Sequence, residues 1–147
     1  MGKRLRPGDV LEVRLPEGLG FVLYLGPHPE YGDAIAVASA VVNERPSLTE
    51  RFFDGGYVTF YPARAALAQD LVTVVGRLPA PALPRALRRP GVRMGRTVET
   101  WIIEDESGET VKRTLGALER LIPIAAIWNH ELLVHRIAAG WRPEQEG

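Results

Sequence analysis

The sequence predicts a β-dominated α+β fold: one domain, residues 1–147, built on a bent antiparallel sheet or a small SH3-like barrel, with a helix near the C-terminus. Three observations predict it. Short runs that alternate in polarity or are rich in β-branched residues recur, with turn signals about every ten residues. A helical period with both ends marked occurs once, over 129–140. No internal repeat or composition break divides the 147 residues, a length that suits one self-sufficient core.

Pro7-Gly8-Asp9 is a turn signal, after which Leu11, Val13 and Leu15 alternate onto one side of a first strand. Pro16-Glu17-Gly18 reverses the chain, and Gly20 to Leu25 returns as the second arm of a hairpin. Gly26 to Asp33 reads as a loop, because neither Pro27 nor Pro29 can donate to a ladder. Ala34 to Val42 is apolar and partly β-branched, a buried third strand. Ser47-Leu48-Thr49-Glu50 matches a capping box, yet Asp54-Gly55-Gly56 soon cuts it off, so short helix or strand stays open there. Tyr57 to Tyr61 is a strand by propensity. Pro62 starts a helical turn running to Ala68, and Leu71 to Val75 is again strand-like.

The segment from Leu78 to Gly91 holds Pro79, Pro81, Pro84 and Pro90 and reads as an ordered connection with a helical turn at 85–89. Val98 to Glu104 alternates around Trp101 and Ile103, turns at Glu106-Ser107-Gly108-Glu109, and returns through Thr114 as a second hairpin. Leu115 to Leu121 looks helical until Pro123. The last helix is the best marked. Asn129 is its N-cap, Trp128 and Leu133 have the spacing of a hydrophobic staple, and Glu131 and Arg136 complement the macrodipole. Leu133 and Ile137 form its apolar stripe, Gly140 ends it, and Pro143 prevents its resumption.

Composition narrows the function. The formal net charge is zero, which argues against nucleic acid as the main partner, since phosphate neutralisation supplies most of that affinity. The absence of cysteine excludes disulfides, thiolate ligands and cysteine nucleophiles, and fits a reducing cytoplasm. Lys3, Arg4 and Arg6 are followed by Pro7-Gly8-Asp9 rather than an apolar stretch, so no signal peptide is expected. Gly2 lacks the Ser or Thr of a myristoylation site, because that position is Arg6. No run approaches the roughly 20 apolar residues that span a bilayer. The protein is expected to be cytoplasmic, without membrane contact.

No reactive constellation stands out. His130 and His135, five apart, fall on different faces of a helix, His28 is remote in sequence, and no zinc motif accompanies them. Ser39, Ser47 and Ser107 lack a nucleophile elbow, and Gly18-Leu19-Gly20 lacks the rest of a dinucleotide fingerprint. No catalytic residue, cofactor site or metal site is assigned, and the protein is read as a non-enzyme. Charge is segregated, however. Arg85, Arg88, Arg89, Arg93 and Arg96 come without an intervening acid; Glu99, Glu104, Asp105, Glu106 and Glu109 follow. The bland reading is a solvated loop beside a solvated hairpin tip. The sharper ones are an arginine stripe facing an anion or RNA, or an acidic edge meeting a basic protein. Zero net charge favours the acidic edge, with Glu104, Asp105, Glu106 and Glu109 as partner-binding residues. Trp101, Trp128 and Trp141 sit in apolar contexts that favour core packing over interface anchoring.

Trp101-Ile102-Ile103, Ile127-Trp128-Asn129, Leu132-Leu133, Arg136-Ile137 and Gly140-Trp141-Arg142-Pro143 together resemble the end of the immunity protein 26 family. Gly8-Asp9-Val10 with Leu15-Pro16 and Gly20 is similar to that family's opening, while the stretch from Glu30 to Pro90 lies outside the match. The resemblance implies a β-rich bacterial protein of a polymorphic toxin locus that binds and blocks a cognate toxin, and it carries over no catalytic residue. A second reading is a small β-barrel RNA-binding or endoribonuclease module, because the Gly8-Asp9-Val10 start and the strand run are also similar to toxin endoribonucleases of toxin–antitoxin pairs. A third is a plain structural or assembly subunit. The toxin and the oligomeric state are not legible.

Overall fold

A computed structural model describes residues 4–146. Gly2 and Lys3, which bear on the leader and acylation readings, lie outside the described residues. Packing divides the chain into two compact units, Met1–Leu83 with Ile127–Trp141 and Pro84–Ala126 with Arg142–Gly147.

The first unit is organised by a five-stranded antiparallel sheet. Its strands are β1 (Asp9–Leu15), β2 (Gly18–His28), β3 (Gly32–Val37), β4 (Tyr57–Phe60) and β5 (Val72–Arg77), in the order β4-β3-β2-β1-β5. Of the two sheet forms the sequence allows, the bent sheet is the one that forms: β4 and β5 are its ends and do not pair with each other, so it is not a closed barrel. The predicted loop over 26–33 is shorter than expected. A register shift between Tyr24 and Gly26 lets β2 continue, placing Pro27 opposite Asp33 and His28 opposite Gly32. His28 Nδ1 then accepts the N–H groups of Glu30 and Tyr31 at 3.1 and 3.3 Å and closes the turn. The third strand stops at Val37, and Val42 returns only as an isolated bridge to Leu19.

Both faces of the sheet are covered, so Val10 and Leu11, neighbours pointing opposite ways, are each fully buried. Phe52, in a 3₁₀ turn at Glu50–Phe53, packs edge-on against Phe21 with centroids 5.5 Å apart. The capping-box motif does not form as such: Thr49 precedes this turn and its side chain caps nothing. A short helix α1 (Ala63–Ala68) leads into β5. Helix α2 (His130–Ala139) has the expected ends: Asn129 accepts the Leu132 N–H at 2.8 Å, and Gly140 takes the left-handed conformation at φ 68°. Leu133 and Ile137 are buried, and Ile137 lies so close to β2 that a Cβ on Gly20 would sit 2.8 Å from its methyl carbon. Tyr57, Trp128 and Trp141 form a ring cluster, and the Arg136 guanidinium lies 4.6 Å and 4.4 Å above the two indoles. The tryptophans of this unit therefore pack inward, as their apolar contexts predict.

The second unit contains a three-stranded antiparallel sheet, in which β6 (Leu87–Pro90) and β10 (Gly108–Lys112) flank β9 (Trp101–Asp105). Between β6 and β9 lies a small hairpin, β7 (Arg93–Met94) and β8 (Thr97–Val98), which the sequence reading does not include. The helical turn expected at 85–89 is a strand instead. Arg88 pairs with Ile103, and its neighbours fall into the same ladder. Leu115 to Leu121 contributes only a 3₁₀ turn at Glu119–Leu121. The core of this unit is Trp101, Ile103 and Leu115, with Val98, Ile122 and Ile124 packed around them.

Candidate functional site

The second hairpin holds the acidic residues singled out above. Its ladder sets Glu104 opposite Glu109 and Ile102 opposite Val111. Directly opposed like charges repel, and Arg89 relieves this: its guanidinium meets Glu104 at 3.2 Å and Glu109 at 2.7 Å. Asp105 turns inward on the hairpin tip, accepting the Ser107 N–H at 2.8 Å and the Ser107 hydroxyl at 2.6 Å. Those hydrogen bonds, the hydroxyl's first, hold its carboxyl below the usual range. Glu106 is exposed at the tip, with no ion pair among the described residues. The structure thus brings all four acids to one hairpin end but gives them different work.

The proposed arginine stripe does not exist as a surface. Arg88 is fully buried, and its guanidinium donates only to main-chain carbonyls. Nε reaches Ile122 O at 3.0 Å, Nη2 reaches Arg120 O at 3.1 Å and Pro143 O at 2.7 Å, and Nη1 reaches Glu146 O. Its central carbon stands 4.3 Å above the Trp101 ring. Burial pushes its pKa down from the ordinary arginine value, but several carbonyl dipoles and an indole face replace the lost water. Arg89 is bound to the two glutamates; Arg85, Arg93 and Arg96 remain exposed. Within the sequence, only strand alternation separates Arg88 from Arg89, and the surrounding prolines mask it.

Alternation also defines the two faces of this sheet. Arg88, Trp101 and Ile103 turn to the buried side. The other side carries the cross-strand rows Arg89, Ile102, Val111 and Leu87, Glu104, Glu109. Val111 is 64% exposed there, with Ile102 and Leu87 half-buried beside it. The face thus carries one exposed apolar side chain, Val111 on the edge strand, with half-buried Ile102 beside it and the glutamate pair in the next row.

The first unit holds a polar network that the sequence reading missed. Asp33, 5% exposed, accepts the Tyr24 hydroxyl at 3.0 Å and the Arg64 N–H at 3.0 Å, and pairs with Arg64 Nε at 2.8 Å. Burial first, then the Asp33 carboxylate, raises the Tyr24 hydroxyl to about 12, so it stays a donor. Beside this network the Tyr61 hydroxyl lies 2.7 Å from His130 Nδ1. Burial raises the pKa of Tyr61 and lowers that of His130, so phenol and imidazole meet as neutral groups, the imidazole tautomer setting which of them donates. The only signal in the sequence was Asp33 beside a turn glycine, too common a pairing to single out.

The three histidines stay apart in role: His28 closes a turn, His130 meets Tyr61, and His135 is exposed on α2. Among the described residues, no three His, Cys, Asp or Glu side chains are grouped to hold a metal ion, and no helix is long and apolar enough to cross a membrane. The molecule is a β-dominated α+β protein. The chain matches no protein-family model, no curated protein and no solved structure.

Proposed function

We propose that the protein is a non-catalytic, stoichiometric binder of a basic protein, acting as an immunity protein does when it occludes a cognate toxin. The observation that carries this reading is the outward face of the β6-β9-β10 sheet, where exposed Val111 and half-buried Ile102 lie next to the Glu104–Glu109 pair, with exposed Glu106 at the hairpin tip beyond. Four carboxylates against the single guanidinium of Arg89 leave this hairpin end negative. An apolar centre excludes water from an interface, while surrounding charge selects and steers the partner. Toxins that handle phosphates are basic, which complements this surface. The RNA-facing alternative is weakened, because Arg88 is buried and Arg89 is already paired.

The test is whether a toxin gene neighbours this one and, where it does, rescue of cells that express its toxic domain. Co-expression of the wild-type chain should restore growth, and the purified pair should form a one-to-one complex. Val111→Lys should abolish rescue without unfolding the chain, since that side chain is exposed. Glu106→Lys should slow association and flatten its salt dependence, the behaviour of a rim charge. Glu104→Lys is a poorer probe because it also breaks the Arg89 pair. Failure of the wild-type chain to protect would overturn the function; protection indifferent to Val111→Lys and Glu106→Lys would overturn the surface.

A further inference from the structure

We propose that the first unit carries a binding site for a small carboxylic acid with an aromatic or branched aliphatic body, with Arg64 as the carboxylate-binding fork. The site goes beyond the protein-binding reading and uses other residues. A depression of about 480 Å³ is lined by Tyr31, Tyr61, Pro62, Ala65 and Ile127 together with Asp33 and Arg64. It is open to solvent, with Pro62, Ala65 and Ile127 exposed along it, so a ligand there would be held at one side and oriented by the placed polar groups.

The polar end is built rather than incidental. Asp33 is buried and anchored by Tyr24, and it grips Arg64 twice, through the main-chain N–H at 3.0 Å and through Nε at 2.8 Å. Gripping one edge of the guanidinium restricts an otherwise flexible side chain. Nη1 and Nη2 are left with no partner other than Asp33 among the described residues, on a side chain 62% exposed. A planar, pre-oriented pair of N–H donors matches the two oxygens of a carboxylate, and pre-orientation reduces the entropy lost on binding.

Charge points the same way. Asp33 balances Arg64, so that pair alone has no net attraction for an anion. Arg64 also lines an adjoining cavity of about 350 Å³, and Arg4 lines it too, a positive charge with no ion pair among the described residues. Tyr31, Pro62, Ala65 and Ile127, which line the same depression as Arg64, favour an acid with an apolar body over phosphate, which would need more donors.

Phenylacetate is a suitable probe, followed by amide chemical shifts of the whole chain. Saturable shifts should appear at Gly32, Ala65 and Ile127, with a Kd on the order of 1 mM for a ligand of that size. Phenylacetamide, which keeps the ring and loses the charge, should bind about tenfold more weakly or worse. Arg64→Lys retains the charge but not the fork and should weaken phenylacetate by about tenfold. Ala65→Phe fills the cavity without touching the Asp33 pair and should abolish the shifts even if Arg64→Lys fails to fold. Equal binding of acid and amide, undiminished binding by either folded variant, or no saturable shift would overturn the proposal. Binding confined to a peptide with a free C-terminal phenylalanine, with phenylacetate inert, would overturn the small-acid assignment as well.

Discussion

Replacing Arg88 with methionine removes the centre of the second unit. The side chain is fully buried, and four main-chain carbonyls lose their donor, those of Arg120, Ile122, Pro143 and Glu146. A buried acceptor left unsatisfied costs about 1–3 kcal/mol, and the hydrogen bond to Pro143 is the fully buried one. The stacked Trp101 loses a desolvated cation–π contact worth about 2 kcal/mol. Against this, methionine avoids the desolvation of a guanidinium, the same penalty that lowers the arginine's pKa. Water reaches the less buried carbonyls, so the terms do not sum. The net loss should be about 3–5 kcal/mol, as for breaking other buried charge networks. Native-state hydrogen exchange measures it locally: protection of Ile102 to Glu104 amides should fall by about two to four powers of ten, read against α2 amides of the other unit. Arg88→Lys should lie between, since an ammonium has three donors and no planar face. Protection unchanged within about threefold in the methionine variant would refute the carbonyl-cage account.

Leu133→Ala should cost about 2–5 kcal/mol in urea denaturation, because the residue is fully buried on α2; a loss under about 0.5 kcal/mol would make that helix a detachable element. Gly20→Ala places a carbon 2.8 Å from the Ile137 Cγ2 methyl and should cost about 1–3 kcal/mol in the same assay; a loss under about 0.5 kcal/mol would show that the helix yields there. Burial holds the His130 imidazole below its ordinary value of 6.5, so the folded chain binds that proton less readily than the unfolded chain. Its contribution is complete above that value and is lost as pH falls through the folded pKa; the melting temperature should drop between about pH 7 and pH 5, and His130→Gln should flatten the drop.

The sequence alone determined the elements whose signal is local. Asn129, Gly140 and the Leu133–Ile137 stripe mark α2, because capping and a helical period act within a few residues. Alternation in β1, β-propensity in β4 and the turn glycine of the second hairpin were equally readable, and so the β-dominated class was too. Tertiary structure decided the rest. Leu87–Pro90 becomes a strand because β9 offers it a ladder and a row of carbonyls offers Arg88 a cage, and neither partner is near it in sequence. Pro27 stays in β2 because of a register shift that no local propensity marks. The four acids look alike in the sequence; cross-strand register alone assigns Glu104 and Glu109 to Arg89, and leaves Glu106 at the tip. The Asp33–Arg64 fork joins residues 31 positions apart. Such groupings depend on chain segments meeting in space, and the energies that select them are summed over the whole fold rather than written in any one segment.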